Sequence, residues 1–298
     1  VSEGRRLDVL ARLVDAAAPW VLDVHRDPHH HRAVITVGGD DVPGVEAAVR
    51  DLARQAVALL DLRTHQGVHP RLGVVDVVPF VPLDHEGHPA GTEDDLSVAR
   101  AARDRFAAWA AHHLGLACAR YGPERTLPDL RRLARAGQLA PDWGPSHPQE
   151  RTGTCAVGAR SALVAYNLWL TGVTVHDARR IAARVRGPAV RSLGLAVGDD
   201  VQVSCNLIDP DRVGPADVHH AVADRARQIG CRLVRAELVG LVPARVLDRI
   251  DPQEWALLDL GPERTVEARL AARTARAPRP ASAPPSAETP AGTPGTPR

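Results

Sequence analysis

Two histidines, His65 and His69, stand four residues apart in the stretch Thr64–Pro82, THQGVHPRLGVVDVVPFVP, followed closely by Arg71 and Asp76. Histidine titrates near neutrality and can both take and give a proton. Arginine presents a planar fork that pairs with carboxylates. Gly67, Pro70 and Gly73 exclude a regular helix through the histidines. The apolar run that follows, Val74 to Val81 interrupted only by Asp76 and Pro79, reads as a buried strand. The pattern is that of a loop delivering a polar constellation to the lip of a sheet, where open α/β folds place their sites. His65 has two readings at this level, a partner that orients His69 or a surface histidine closing the preceding helix. Asp76 reads as a partner for backbone or arginine. A second polar segment, Gly144-Pro145-Ser146-His147-Pro148-Gln149-Glu150-Arg151-Thr152-Gly153, exposes backbone of the kind that approaches a flat ring closely.

The elements that must hold these segments alternate. Apolar residues at helical spacing predict helices over 7–17, 44–60, 92–113, 127–136, 176–185 and 215–229. Thr92 caps the third, with Asp95 in its first turn, and Gly137 stops the fourth. Strands are expected over 21–24, 33–37, 116–120, 163–170, 193–197, 201–207 and 233–238. Hairpin-like pairs recur in both halves, so the fold class is α/β, as two subdomains each with a mixed sheet packed against helices rather than one doubly wound sheet. The subdomains are expected over residues 1–150 and 151–262. A Pro/Ala/Thr-rich tail over 263–298, most biased from Ala277, is expected to be largely disordered.

Composition narrows the chemistry. The 298 residues include no lysine, so Schiff-base catalysis and a P-loop lysine are excluded. A net charge of +1 does not suit a nucleic-acid binder held by bulk charge. Four cysteines without a C-x-x-C pair read as buried thiols of a reducing compartment. With no apolar run of membrane-spanning length and no signal-peptide pattern, a cytoplasmic protein without a membrane partner is expected. His25, His29, His30 and His31 with His69 are the only metal-like grouping, and adjacent histidines do not form a tetrahedral site. No metal is expected.

Four blocks carry a resemblance: SEGR at Ser2–Arg5, G-x-H-P-R-x-G-x-x-D-V-x-P-F around His69, GPSHPQERTGTCAVGARSALVAYNLWL at Gly144–Leu170, and QVSCNLID with ELVGLVP at Gln202–Pro243. In this order they resemble the glutamate formimidoyltransferase family, over about Ser2 to Leu260. The resemblance implies transfer of a formimino group between formiminoglutamate and tetrahydrofolate as co-substrate, in histidine breakdown or one-carbon supply, by a homodimer whose substrates lie between two subdomains. It implies His69 as the catalytic residue, which removes a proton from the attacking nitrogen and returns one to the departing nitrogen. It implies Gly144–Gly153 as the folate segment and Asp23, Arg32, Arg71 and Arg160 as candidates for holding substrate. It also implies a strand ahead of Ser2–Arg5 and no cyclodeaminase domain.

The loop His25–Arg32 departs from that pattern, which has Asp where His25 stands and Asn where His31 stands, and an acid in place of Val68. Exchange of Asp for His removes a carboxylate near the reacting centre. The expectation is weaker handling of a cationic formimino donor and better use of a neutral formyl donor. Two alternatives accompany the main reading, a formyl transferase using folate and a folate-binding homologue without turnover.

Overall fold

The computed structural model describes residues 1–68, 70–84, 86–122 and 125–276. His69 lies outside them, as does the tail from 277. In chain order the elements of the first half are α1 (Leu7–Ala16), β1 (Val21–Asp27), β2 (Arg32–Val37), α2 (Val42–Leu59), β3 (Val77–Phe80), α3 (Glu93–Leu114), β4 (Ala117–Tyr121), α4 (Leu127–Arg135) and β5 (Thr154–Ala159). Those of the second half are β6 (Val164–Thr171), α5 (Val175–Val185), β7 (Val190–Val197), β8 (Asp200–Leu207), α6 (Pro215–Gln228), β9 (Arg232–Val239), α7 (Ala244–Leu247) and α8 (Val266–Arg276). The fold is α/β. Strand senses separate by sheet: β1 and β2 form an antiparallel hairpin, β3-β5-β4 a parallel sheet, and β7-β8-β6-β9 an antiparallel sheet. The expected mixture of senses is thus distributed between sheets rather than within one.

Local chemistry accounts for most boundaries. Thr92 accepts from the Asp95 amide while Asp95 reaches back to the Thr92 amide, a capping box that satisfies two amides otherwise without helical partners. Thr126 with Asp129 and Thr174 with Asp177 repeat the device on α4 and α5. Gly115 ends α3 at φ 59°, and Gly137 follows α4 at φ 67°, both in the left-handed region that glycine enters without a Cβ clash.

Three expectations are corrected. The run after the histidine loop is not a buried strand throughout. Val74 and Val75 are buried in an irregular segment, while β3 is a short, half-buried edge strand. Pro79 has no amide to offer a neighbour, and an edge is where a sheet tolerates that. The central strand is instead β5, fully buried, which lies beyond residue 150 yet pairs with β3 and β4. Its small residues, TCAVGA, give little apolar periodicity. Finally, residues 266–276 are helical rather than part of a disordered tail. Arg273 of α8 stacks over Trp20 at 4.3 Å and pairs with Asp40 at 3.0 Å, and Glu267 accepts the Ala244 amide.

In the second half, residue alternation assigns two faces to the antiparallel sheet. Val164, Tyr166, Leu168 and Leu170 of β6 join Val203, Cys205 and Leu207 of β8 in a core beneath α5 and α6. The opposite face carries Asn167, Ser204, Asn206 and Arg191 and looks onto the first half. No helix among the described residues is long and apolar enough to cross a membrane.

Candidate active site

A cleft of about 1620 Å³ runs between the hairpin, β3, α4 and α8 on one side and the polar face of the antiparallel sheet on the other. Its apolar walls come from residues such as Val34, Val77, Phe80 and Leu270. Polar groups entering it include His25, Asp27, His30, Arg32, Arg131, Arg160, Asn167 and Asn206. Apolar walls with a few convergent polar groups are the usual make-up of a small-molecule site.

Arg32 and Arg160, both read as substrate-holding from the sequence, line this cleft. Arg160 follows β5 directly, and its amide bonds the Phe80 carbonyl at 3.1 Å, which fixes it at the carboxyl end of the parallel sheet. Arg131, which sequence reasoning missed, enters from α4, with Nη2 4.0 Å from Asp76 Oδ2. Burial lowers the Arg131 pKa; Asp76 opposes that and Arg32 adds to it. Its signal was weak because one arginine on an amphipathic helix of an arginine-rich chain looks like a solvated one.

Arg71 and Asp23 lie elsewhere: neither is among the described residues lining the cleft. Arg71 donates to the carbonyls of His65 (3.3 Å) and Gly67, so it staples the loop. Asp23 faces Arg269 of α8 at 3.8 Å. Asp76 accepts the Leu72 amide at 2.6 Å and turns the chain into β3. The segment Gly144–Gly153 also contributes no described residue to the cleft lining. It is mostly exposed and stitched to the turn before β3, with Val74 N bonded to Thr152 O and Gly73 bridged to Gly153.

The histidine loop is held against the hairpin turn by its own side chains. His65 Nε2 donates to the His31 carbonyl at 2.9 Å, and the two rings stack at 3.9 Å. His31 Nδ1 bonds Gln66 O at 2.8 Å and its Nε2 lies 3.1 Å from Glu3 Oε1. Burial, followed by smaller effects of opposite sign from the His31 carbonyl and Arg71, takes His65 down to about 4. His65 is therefore held as the neutral imidazole, and its ring ties the loop to the hairpin turn. The SEGR turn completes the unit: Glu3 accepts the amides of Gly4, Arg5 and Arg6 and the Arg6 guanidinium. Burial would raise the Glu3 carboxyl, but these donors outweigh it and bring it to about 2. The described residues on either side of His69, Val68 and Pro70, belong to this stitched loop.

His25 extends from β1 towards the second half, with Nε2 3.6 Å from Glu237 Oε1 on β9. Glu237 Oε2 accepts from Trp169 Nε1 at 2.9 Å and Asn167 Nδ2 at 3.2 Å. Glu237 was legible only as part of the block ELVGLVP, with nothing to say which residue it meets.

Residues 1–160 match the family described as the formiminotransferase domain, N-terminal subdomain. The chain is 31% identical over 281 residues to the glutamate formimidoyltransferase of Streptococcus pyogenes serotype M1, covering 86% of this chain and 90% of that protein. It is 32% identical over 273 residues to the glutamate formimidoyltransferase of Thermoplasma acidophilum, covering 83% and 87%. Against the formimidoyltransferase-cyclodeaminase of Sus scrofa, identity is 31% over 277 residues, covering 83% of this chain and 49% of that larger protein.

Proposed function

The chain belongs to the formiminotransferase family and is a transferase, and from that premise we propose that it moves the formimidoyl group of formiminoglutamate to tetrahydrofolate. The observation that carries this reading is the cleft itself, with Arg32, Arg131 and Arg160 distributed along apolar walls. Both substrates carry glutamyl carboxylates, and guanidinium groups partly removed from water bind carboxylates strongly. A single-ligand pocket is about 300–1,000 Å³, so a cleft of about 1620 Å³ has room for donor and acceptor together. Holding both in one place supplies the proximity that a two-substrate transfer needs.

The reaction forms a bond from the folate nitrogen to the formimidoyl carbon and then breaks the bond from that carbon to the glutamate nitrogen. His69 is assigned the proton transfers, as acid and base. The arginines position the carboxylates, and Gly144–Gly153 is assigned to the folate, which from its position beside the Leu72–Val74 turn would meet an outlying part of that ligand. The two subdomains are taken as residues 1–150 and 151–262, with β5 crossing from the second into the sheet of the first, and the chain is assigned as a cytoplasmic homodimer.

The formyl-donor reading rested on the carboxylate lost at position 25. Glu237 supplies a carboxylate beside His25, which favours the cationic formimidoyl donor. The deciding experiment incubates the protein with formiminoglutamate and tetrahydrofolate and follows the absorbance of formimino-folate. Turnover with formyl donors alone selects the formyl transferase, and folate binding without turnover selects the non-enzymatic homologue.

A further inference from the structure

The hairpin turn between β1 and β2, Asp27-Pro28-His29-His30-His31, contains a buried imidazole–carboxylate pair, His30 with Asp27, that the assignment to His69 leaves unused. Asp27 Oδ1 accepts the amides of His29 and His30, each at 2.8 Å, and Oδ2 accepts a hydrogen bond from Nδ1–H of the His30 ring. Both residues are buried, His30 at 5% exposure and Asp27 at 9%, and both line the cleft. Burial would raise the Asp27 carboxyl, yet the His30 ring and the two amides bring it to about 2, so it is ionised throughout the working range. A carboxylate on Nδ1 fixes the tautomer, makes Nε2 the basic nitrogen, and stabilises the imidazolium once Nε2 is protonated.

This pair sits beside the loop that carries His69. A Cβ placed on Gly67 would come 2.5 Å from the His30 carbonyl, so loop and turn pass in direct contact. The His31–His65 stack and their bonds tie the two segments together on the next residue. Two histidine-bearing segments, distant in sequence, are thus held against each other, with Asp27 and His30 of the turn lining the cleft. Among the described residues, the charged and titratable groups around the turn include Asp27, His29 and His31 within it, Arg32 at the start of β2, His25 and Arg26 on β1, Glu3 and Arg5 from the N-terminal turn, His65 and Arg71 from the loop, and Asp199 and Asp200 beside Gly198, which approaches the His29 ring from the β7–β8 turn.

We propose that His30, held at Nδ1 by Asp27, is a second catalytic proton-handling residue of the transfer, dividing the work with His69; the inference rests on the formimidoyl transfer proposed above. As the folate nitrogen bonds to the formimidoyl carbon, its proton passes to Nε2 of His30. As the carbon–nitrogen bond to glutamate breaks, the departing nitrogen takes a proton from His69. The carbon keeps its imino nitrogen and its oxidation level, and solvent returns one proton from His30 to His69 after product leaves.

The test uses the full chain and two variants, His30→Gln and Asp27→Asn. Asparagine keeps the oxygen that accepts the two backbone amides but removes the charge. Steady-state kinetics from about pH 5 to 9 bracket the imidazole range. His30→Gln is expected to lower kcat about 10²-fold, the lower end for a lost acid–base group, with KM within about threefold and the acidic limb of the kcat profile abolished. Asp27→Asn is expected to lower kcat and move that limb to lower pH, because loss of a neighbouring anion disfavours the imidazolium. A turn-stabilising role alone would change melting temperature and leave the limb in place, and that result overturns the inference. As a check that needs no variant to fold, the wild-type His30 ring signal followed by NMR should shift on adding 5-formyltetrahydrofolate; a signal that stays put while the ligand binds also overturns it. A wild type that performs no transfer overturns the proposed function and this inference with it. A wild type that transfers while both variants keep the limb overturns the inference alone.

Discussion

Glu237 Oε1 lies 3.6 Å from His25 Nε2, an approach that joins one half of the chain to the other. Read along the sequence, His25 looks like the loss of an acid. In three dimensions the acid is present, held in place by Trp169 and Asn167 on a neighbouring strand. A protonated His25 therefore meets a counter-charge rather than repelling a cationic donor.

His25→Asp, which the sequence alone predicts to raise activity with formiminoglutamate, is now expected to lower it. The new carboxylate would face Glu237, and like charges at this range raise a carboxyl pKa and oppose each other. At about pH 7 the variant should lose roughly 1 kcal/mol of stability, or about 2 °C in melting temperature for a chain of this length, and regain part of it as the pH falls. Paired thermal melts at two pH values check this. A variant as stable as wild type and faster with formiminoglutamate would restore the sequence-level expectation.

His69→Ala should leave folding and folate binding close to wild type and lower turnover by about two to four orders of magnitude. Fluorescence binding with a folate, run beside the absorbance assay, separates the two quantities. Activity within about threefold of wild type would remove His69 from the mechanism.

Arg131→Gln and Arg160→Gln should each raise KM for the glutamyl substrates about 10–100-fold, the equivalent of one charge-assisted hydrogen bond at about 1.5–3 kcal/mol, with kcat changed much less. Gln149→Ala, in the exposed segment outside the cleft lining, provides the contrast. If Gln149→Ala raises KM for folate as strongly as the arginine variants, the folate reaches the Gly144–Gly153 loop. If only the arginine variants do, the cleft alone holds both substrates.

Glu3→Gln tests the turn that braces the histidine loop. The Glu3 carboxyl is depressed to about 2 in the folded chain, so its contribution is fully present above the unfolded carboxylate range and is lost as pH falls through about 2. The shift corresponds to about 3 kcal/mol at most. The variant should lose a large part of that at neutral pH and show a shallower fall in stability below about pH 4.5, where Asp27 still titrates. Urea unfolding at stepped pH measures both. An unchanged slope of stability against pH would mean that the Glu3 network contributes nothing net.

Much of this protein is decided locally and was legible without coordinates. Thr92 and Asp95 mark a helix start because both satisfy amides within four residues of themselves. Gly67, Pro70 and Gly73 break the chain into a loop because their backbone limits act on the spot. The block patterns around His69 and along Gly144–Leu170 lead to the formiminotransferase family on residue identity alone. What tertiary structure decided is which distant groups share a space. β5 became the central strand although its small residues carry no strong pattern, because burial between two neighbours needs no wide side chains. Arg131 turned inward from a helix that reads as polar, Arg71 turned back onto its own loop, and α8 was ordered by Trp20 and Asp40. Glu237 met His25, and the hairpin turn bearing His30 met the loop leading to His69, because sheet register and the packing of one half on the other set those approaches. No interaction between near neighbours in the chain encodes them.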